Sequence, residues 1–192
     1  MNERVFILSG PSGVGKSSLI SKIRERFPDV RLAVSATTRA PRPGEVDGVH
    51  YAFVTRAAFE EGVRRGDFLE WAEVHGNLYG TPKRAVEPLA AQGLTVLLDI
   101  DVQGFRNVRR VRPETPAIFV APTSASVLEE RLLKRGSENP AGLAKRLENA
   151  QREMAAMGEY DHVVVNDDLE RAALELEHLL GLRDSRTPPP QR

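Results

Sequence analysis

Cysteine is absent from this 192-residue chain. Disulfides, thiolate zinc sites and thiol nucleophiles are therefore excluded, and the chain suits a reducing compartment without requiring one. An excess of one charge is missing too. The 27 Lys and Arg balance the 27 Asp and Glu, so no global field draws nucleic acid or an acidic membrane surface, and any anion must be held by a local cluster. No apolar run approaches the length of a membrane span, and the one that starts at Val5 is too short for the core of a signal peptide. These absences predict a cytoplasmic protein with neither nucleic acid nor membrane as partner, working as a monomer or small homo-oligomer. The stretch Arg183 to Arg192 has three consecutive prolines and almost nothing apolar, so it is expected to be a disordered tail.

The remaining periodicity is an alternation of two kinds of segment. Val5 to Ser9, Thr95 to Asp99, Ala117 to Val120 and His162 to Val165 are short apolar, mostly β-branched runs of the kind buried in parallel sheets. Lys16 to Arg26, a helix capped at Ser124 and running through Lys134, Leu143 to Met157 and Leu169 to Leu182 have helical spacing. The pattern predicts an α/β fold, a parallel sheet flanked by helices. Residues 35–81 break it with two strand-like pieces, Tyr51 to Val54 and Phe68 to Val74, around a helix capped at Thr55, which reads as an inserted lobe. Residues 135–142, rich in Gly, Pro and polar groups, read as a mobile connection.

Between the first strand and the first helix lies G-x-x-x-x-G-K-S, from Gly10 through Pro11, Ser12, Gly13, Val14 and Gly15 to Lys16 and Ser17, with Ser18 following. Glycines let successive N–H groups turn inward around phosphate oxygens at a helix N-terminus. Lys16 adds a mobile charge for the β- and γ-phosphates, and the Ser17 hydroxyl suits a magnesium ion. Such a loop predicts a nucleoside triphosphate ligand. It does not separate a kinase from a GTPase or another ATPase.

The second half of the chemistry has its own candidates. Arg39 and Arg42 stand three residues apart in a proline-stiffened segment, where two guanidinium groups can grip one phosphate, and Tyr51 and Tyr79 carry phenolic donors. Solvated loop charges are the competing reading for the arginines. Glu70, in F-L-E-W on a strand, offers two parallel acceptors that match the adjacent N1–H and 2-amino donors of guanine. Thr81 can donate to guanine O6 or cap a helix opened by Pro82.

The strings SGPSGVGKSSL, VSATTRAPRPGEVDGVHY, FLEWAEVHGNLYGTP, LLDIDVQG, RLLKRG and VVVNDDL, in this order over about residues 4–182, resemble bacterial guanylate kinases. The resemblance implies a P-loop NTPase-type core (1–34, 82–125 and 158–182), a GMP-binding lobe at 35–81 and a helical lid at 126–157. It implies phosphoryl transfer from ATP, with Mg²⁺, to GMP or dGMP in guanine nucleotide synthesis and recycling. It places Arg39, Arg42, Tyr51 and Tyr79 on the GMP phosphate, and Ser35, Glu70, Gly80, Thr81 and Asp101 on the guanine side. Asp99 is assigned to the magnesium hydration shell, Arg131, Arg135 and Arg146 to the transferring phosphoryl group, and Asn166 with Asp167 to the adenine side. The sequence departs from many relatives at Ala36, at His50 and in a lid loop that lacks an acidic run. A non-catalytic module of the same fold and a P-loop kinase for another acceptor remain alternatives; a GTPase switch would show N-K-x-D, where this chain has N-D-D at Asn166.

Overall fold

In a computed structural model the structure describes residues 4–74, 76–134 and 140–182. In chain order the elements are β1 (Val5–Ser9), α1 (Lys16–Arg26), β2 (Val30–Leu32), β3 (Ala36–Thr37), β4 (Ala52–Phe53), α2 (Arg56–Arg65), β5 (Phe68–Val74), β6 (Asn77–Pro82), α3 (Glu87–Ala91), β7 (Thr95–Asp99), α4 (Val102–Val111), β8 (Ala117–Ala121), α5 (Ala125–Lys134), α6 (Pro140–Ala155), β9 (His162–Val165) and α7 (Leu169–Leu179). The architecture is mixed α/β, with a parallel sheet flanked by helices. The chain divides into two compact units, one of residues up to Ile7 with Arg31–Pro116, the other of Leu8–Val30 with the residues from Ala117 onward.

The first unit contains a run of strands in the order β2-β7-β1 and a separate four-stranded sheet, β4-β3-β6-β5. In β7 the run Thr95 to Leu98 is buried throughout, as a strand covered on both faces requires. The four-stranded sheet rests on α2. Thr55 caps that helix, its side chain accepting from Ala58 N at 3.2 Å, and Gly66 closes it in the left-handed conformation. Helical spacing then drops Phe59 into a small core with Ala36 and Leu78, where its ring stacks on Phe68 at 4.3 Å. On the other side, β5 and β6 pair antiparallel, placing Glu70 opposite Thr81 and Ala72 opposite Tyr79, with a bulge between Phe68 and Glu70.

In the second unit β8 and β9 pair in parallel, Ile118 opposite His162 and Ala121 opposite Val165. Every residue of β8 is buried. Helix α1 turns Leu19, Ile20 and Ile23 inward, and α7 does the same with Ala172, Ala173 and Leu176. Their outer edges are tied by charge: Arg26 donates to Glu177 at 2.7 Å and pairs with Glu170, which also takes Lys22 at 2.6 Å.

Several differences from the sequence reading lie at helix ends. The connection expected through residue 142 is shorter, because Pro140 to Gly142 already belong to α6; Pro is well suited to a first helical turn, where its missing N–H costs nothing. That helix ends at Ala155, before a 3₁₀ turn at Met157–Glu159, and α7 ends at Leu179. The predicted loop at 135–139 and the tail from Arg183 lie outside the described residues. Among the described residues no helix is long and apolar enough to cross a membrane.

The lobe core rests on one ring. Phe59→Ala should cost about 3–5 kcal/mol, measured as a shift in the urea midpoint, whereas Thr55→Ala, which removes only a cap, should cost about 1 kcal/mol.

Candidate functional site: a phosphate loop and a guanidinium-carboxylate cavity

The loop that follows β1 is shaped by what surrounds it. Gly10 has φ +147°, and a Cβ there would sit 2.2 Å from the Val120 carbonyl oxygen, so neither the backbone angle nor the space admits another residue. Pro11 follows, buried, with Ser12 exposed beside it. The turn through Gly13 is closed by Val14 N donating to Pro11 O at 3.1 Å. Gly15, at φ +100°, is the N-cap of α1, and no side chain caps that helix. Its first-turn N–H groups are the kind an anion satisfies. Lys16 Nζ donates to Gly10 O at 2.5 Å, folding the ammonium back over the loop. Ser17 and Ser18 are exposed on the first turn of α1.

Behind the loop lie two residues expected elsewhere. Asn166, only 5 % exposed, donates its amide to Val14 O at 2.7 Å, so it sits under the phosphate loop. Arg131 donates to Val14 O and to Asn166 O, each at 3.0 Å. The chain thus parks this cation on two neutral carbonyls. Asp167 is engaged by Arg171. Arg146 is half-buried on α6, and Arg135 lies outside the described residues.

The first unit holds a cavity of about 190 Å³ lined by Ser35, Tyr51, Glu70, Tyr79, Asp99 and Asp101, with Gly80 and Gly104 in its wall. Its floor follows from strand register. Residues opposite one another on an antiparallel pair point to one face, so Glu70 and Thr81 meet, and the Thr81 hydroxyl donates to Glu70 Oε1 at 2.7 Å. This displaces the helix-capping reading of Thr81. The residue lies inside β6, and the 3₁₀ turn after Pro82 has no side-chain cap. Ser35 Oγ stands 3.5 Å from Thr81 Oγ1. Gly80, opposite Trp71, has no room for a side chain: a Cβ would lie 2.9 Å from Glu70 O and from Trp71 Cβ.

Glu70 is 6 % exposed. Burial pushes its carboxyl up to about 7, the nearby Asp101 adding to the rise and the Thr81 hydrogen bond opposing it. Asp101 is fixed as the N-cap of α4, accepting from Gly104 N at 2.8 Å. Gly104 is a cavity-wall residue that sequence reasoning missed: a Cβ there would come within 3.2 Å of Glu70 Oε2. Its signal was a glycine in a first helical turn, D-V-Q-G.

Arg39 stands apart from the carboxyl end of the cavity in a shell of rings. Its guanidinium lies 5.5 Å from the Tyr51 ring centroid and 5.8 Å from that of Phe53, and Tyr51 meets Tyr79 edge-on at 6.0 Å. Both of its terminal nitrogens donate to Glu45, each at 2.9 Å. Glu45 also accepts from Arg42 N at 2.6 Å, while the Arg42 side chain is exposed. The sequence reading had no role for Glu45; its only signal was an acidic residue three positions after Arg42. Arg39 holds the Glu45 carboxyl down at about 2. Burial raises the Tyr51 phenol, with the negative charge of Asp99 adding to it, so Tyr51 remains a hydrogen-bond donor at neutral pH.

The loop before α1 offers N–H groups suited to phosphate, and the first unit offers a cation suited to a phosphate monoester and a buried carboxyl suited to two adjacent donors. Ser17 and Asp99 are hard oxygen donors of the kind Mg²⁺ accepts, and among the described residues no group of three or more His, Cys, Asp or Glu forms a metal cage.

Comparison with known proteins agrees with this geometry. The family model described as guanylate kinase matches residues 2–182. A guanylate kinase of Synechococcus sp. (strain CC9311) is 50 % identical over 93 % of this chain and 94 % of its own length. One of Mycobacterium sp. (strain MCS) is 51 % identical over 92 % and 90 %. The crystal structure of guanylate kinase from Anaplasma phagocytophilum superposes with a TM-score of 0.76 at 33 % identity, covering 95 % of this chain and 87 % of that one. The phosphate loop, the cavity around Glu70 and the Arg39–Glu45 pair thus belong to a chain of the guanylate kinase family.

Proposed function

We propose that the chain transfers the γ-phosphoryl group of ATP to GMP, and to dGMP, giving ADP and the nucleoside diphosphate, and that its two sites divide the work. Family membership supports the reaction, and the pairing of Glu70 with Thr81 in the cavity wall carries the choice of acceptor. A carboxylate takes the guanine N1–H and 2-amino group side by side, while Thr81, Ser35 and Asp101 surround the rest of the base. Arg39, Arg42, Tyr51 and Tyr79 take the acceptor phosphate.

A phosphate monoester has a second pKa near ~6, so the GMP phosphate carries a nucleophilic oxygen at neutral pH and no side chain has to remove a proton. Catalysis is then a matter of alignment and charge. The loop from Gly10 to Ser18 grips the triphosphate, and Lys16 draws charge off its β- and γ-oxygens. Ser17 and, partly through water, Asp99 are the residues that would hold Mg²⁺. That ion supplies further neutralisation of the triphosphate. Arg131, Arg135 and Arg146, on a lid of residues 126–157, move onto the transferring group and exclude water, which would otherwise compete as acceptor. Arg131 is already next to the loop, on Val14 O. The setting is cytoplasmic guanine nucleotide synthesis and recycling.

An acceptor screen with Mg·ATP over GMP, AMP, CMP and UMP tests the assignment directly. GMP should be the best acceptor by kcat/KM, and a maximum at any other nucleotide overturns it. Within the cavity, Glu70→Gln should lower kcat/KM for GMP by about 10–150-fold, the worth of a charge-assisted contact of about 1.5–3 kcal/mol, with Mg·ATP affinity unchanged. The free carboxyl titrates near 7 and the base binds its ionised form, so guanosine affinity should be level above pH 7. It should fall roughly tenfold per unit below that. Glu70→Gln should remove this acid limb; guanosine has no phosphate to titrate in its place. For the phosphate clamp, Arg39→Ala should raise the KM for GMP with little change in guanosine binding. Glu45→Gln should do so more weakly, because it frees Arg39 without removing it. Equal loss of GMP and guanosine would mean that Arg39 supports the lobe and does not bind the phosphate.

A further inference from the structure

The Val14 carbonyl is the point at which three parts of the second unit converge. Asn166 Nδ2 donates to it at 2.7 Å, and Arg131 Nη1 donates to it at 3.0 Å. Asn166 is itself immobilised: its backbone N donates to Ala121 O at 2.8 Å, continuing the β8–β9 pairing by one residue, and its own carbonyl accepts from Arg131 Nη2. A trans peptide is planar, with its C=O and the following N–H on opposite sides. No described peptide is cis. Turning Val14 C=O towards Asn166 therefore turns Gly15 N–H the other way, at the uncapped N-terminus of α1. The alternative orientation would aim a carbonyl oxygen at an incoming anion. Asn166 also enforces the glycine, since a Cβ on Gly15 would lie 2.4 Å from Asn166 Nδ2.

We propose that Asn166 is a positioning residue for the phosphate loop: it pins the Val14–Gly15 peptide so that Gly15 N–H faces the triphosphate, and it does not read the donor base. The inference rests on the reading of Gly10 to Ser17 as a triphosphate site. Arg131 shares the carbonyl only at rest. Once it is drawn to the reacting phosphates, Asn166 is the donor left to hold the peptide plane.

The test compares Asn166→Asp, nearly isosteric but presenting an acceptor to Val14 O, and Asn166→Ala with the wild-type chain. Calorimetric titration with Mg·ATP and with inorganic tripolyphosphate in MgCl₂ should show both affinities falling together, by about tenfold or more for a lost buried hydrogen bond. The ratio of ATP to GTP as donor and the KM for GMP should stay as they are. A changed donor ratio, or undiminished tripolyphosphate binding, overturns the proposal. A second measurement needs no variant: in the wild-type amide spectrum the Gly15 resonance should move on titration with tripolyphosphate and stay in place with adenosine. The opposite response overturns the proposal. A wild-type chain that binds no tripolyphosphate overturns the phosphate-loop reading and this proposal together, whereas unaffected variants overturn the proposal alone.

Discussion

The antiparallel register of β5 on β6 is the constraint from which the acceptor cavity follows. Period-two geometry puts Glu70, Ala72 and Val74 on one face, and pairing places Thr81 and Tyr79 beside them. A slip of one residue would send Glu70 to the outer face, where Trp71 now stands partly exposed, and would leave Thr81 opposite Leu69 or Trp71. The bulge between Phe68 and Glu70 fixes where this register begins. Two glycines then bring backbone within reach of the carboxyl, Gly80 from the neighbouring strand and Gly104 from the first turn of α4. The raised carboxyl of Glu70 is a result of that enclosure. No residue is dedicated to raising it.

Charges at both sites are held before any substrate arrives. Arg39 rests on Glu45, Arg131 on two carbonyls, and Lys16 on the carbonyl of Gly10. The difference in partner matters. A carboxylate whose pKa lies near 2 stays ionised over any working pH, so it keeps Arg39 oriented while leaving that cation able to accept a second anion in the shared, bidentate manner of guanidinium. Carbonyls compensate only part of a positive charge, so Arg131 remains strongly attracted to a polyphosphate. The first arrangement suits a cation that stays where it is, and the second suits cations that change partners.

The fold was legible where its signal is periodic and local. The runs at Val5, Thr95, Ala117 and His162 and the glycine loop before Lys16 could be read directly, because a buried strand and a phosphate loop each impose residue types on consecutive positions. The two-residue strand β3, and α3 and α4, went unread: a strand that short has no period, and α4 is announced chiefly by Asp101, which the sequence offers only as a base contact. The site was legible in part for the same reason. Arg39 and Glu70 are visible as unusual residues in place. Gly104 and the loop-anchoring position of Asn166 are defined by what lies across a fold from them, and sequence spacing does not contain that information; Glu45 lies only six residues from Arg39, but no motif singles it out. Thr81 illustrates the ambiguity, since a threonine before a proline signals a helix cap locally and a strand partner only once β5 has paired with β6.

Placing base selection on the acceptor side also follows from energetics. On the proposed reading the donor nucleotide is gripped through backbone N–H groups and phosphate, which are common to every triphosphate. The acceptor cavity instead contains a buried carboxyl that the Thr81 hydroxyl engages at one oxygen. A base that brings two adjacent donors satisfies it. A base that lacks them leaves a desolvated acceptor facing a ring nitrogen, and the cost of an unsatisfied buried group, about 1–3 kcal/mol and more for a charged one, exceeds what a good contact gains. Discrimination of this kind comes from the penalty on the wrong ligand. It therefore requires the enclosure that the β5–β6 register, Gly80 and Gly104 provide, and it would weaken if water could reach Glu70 in place of the base.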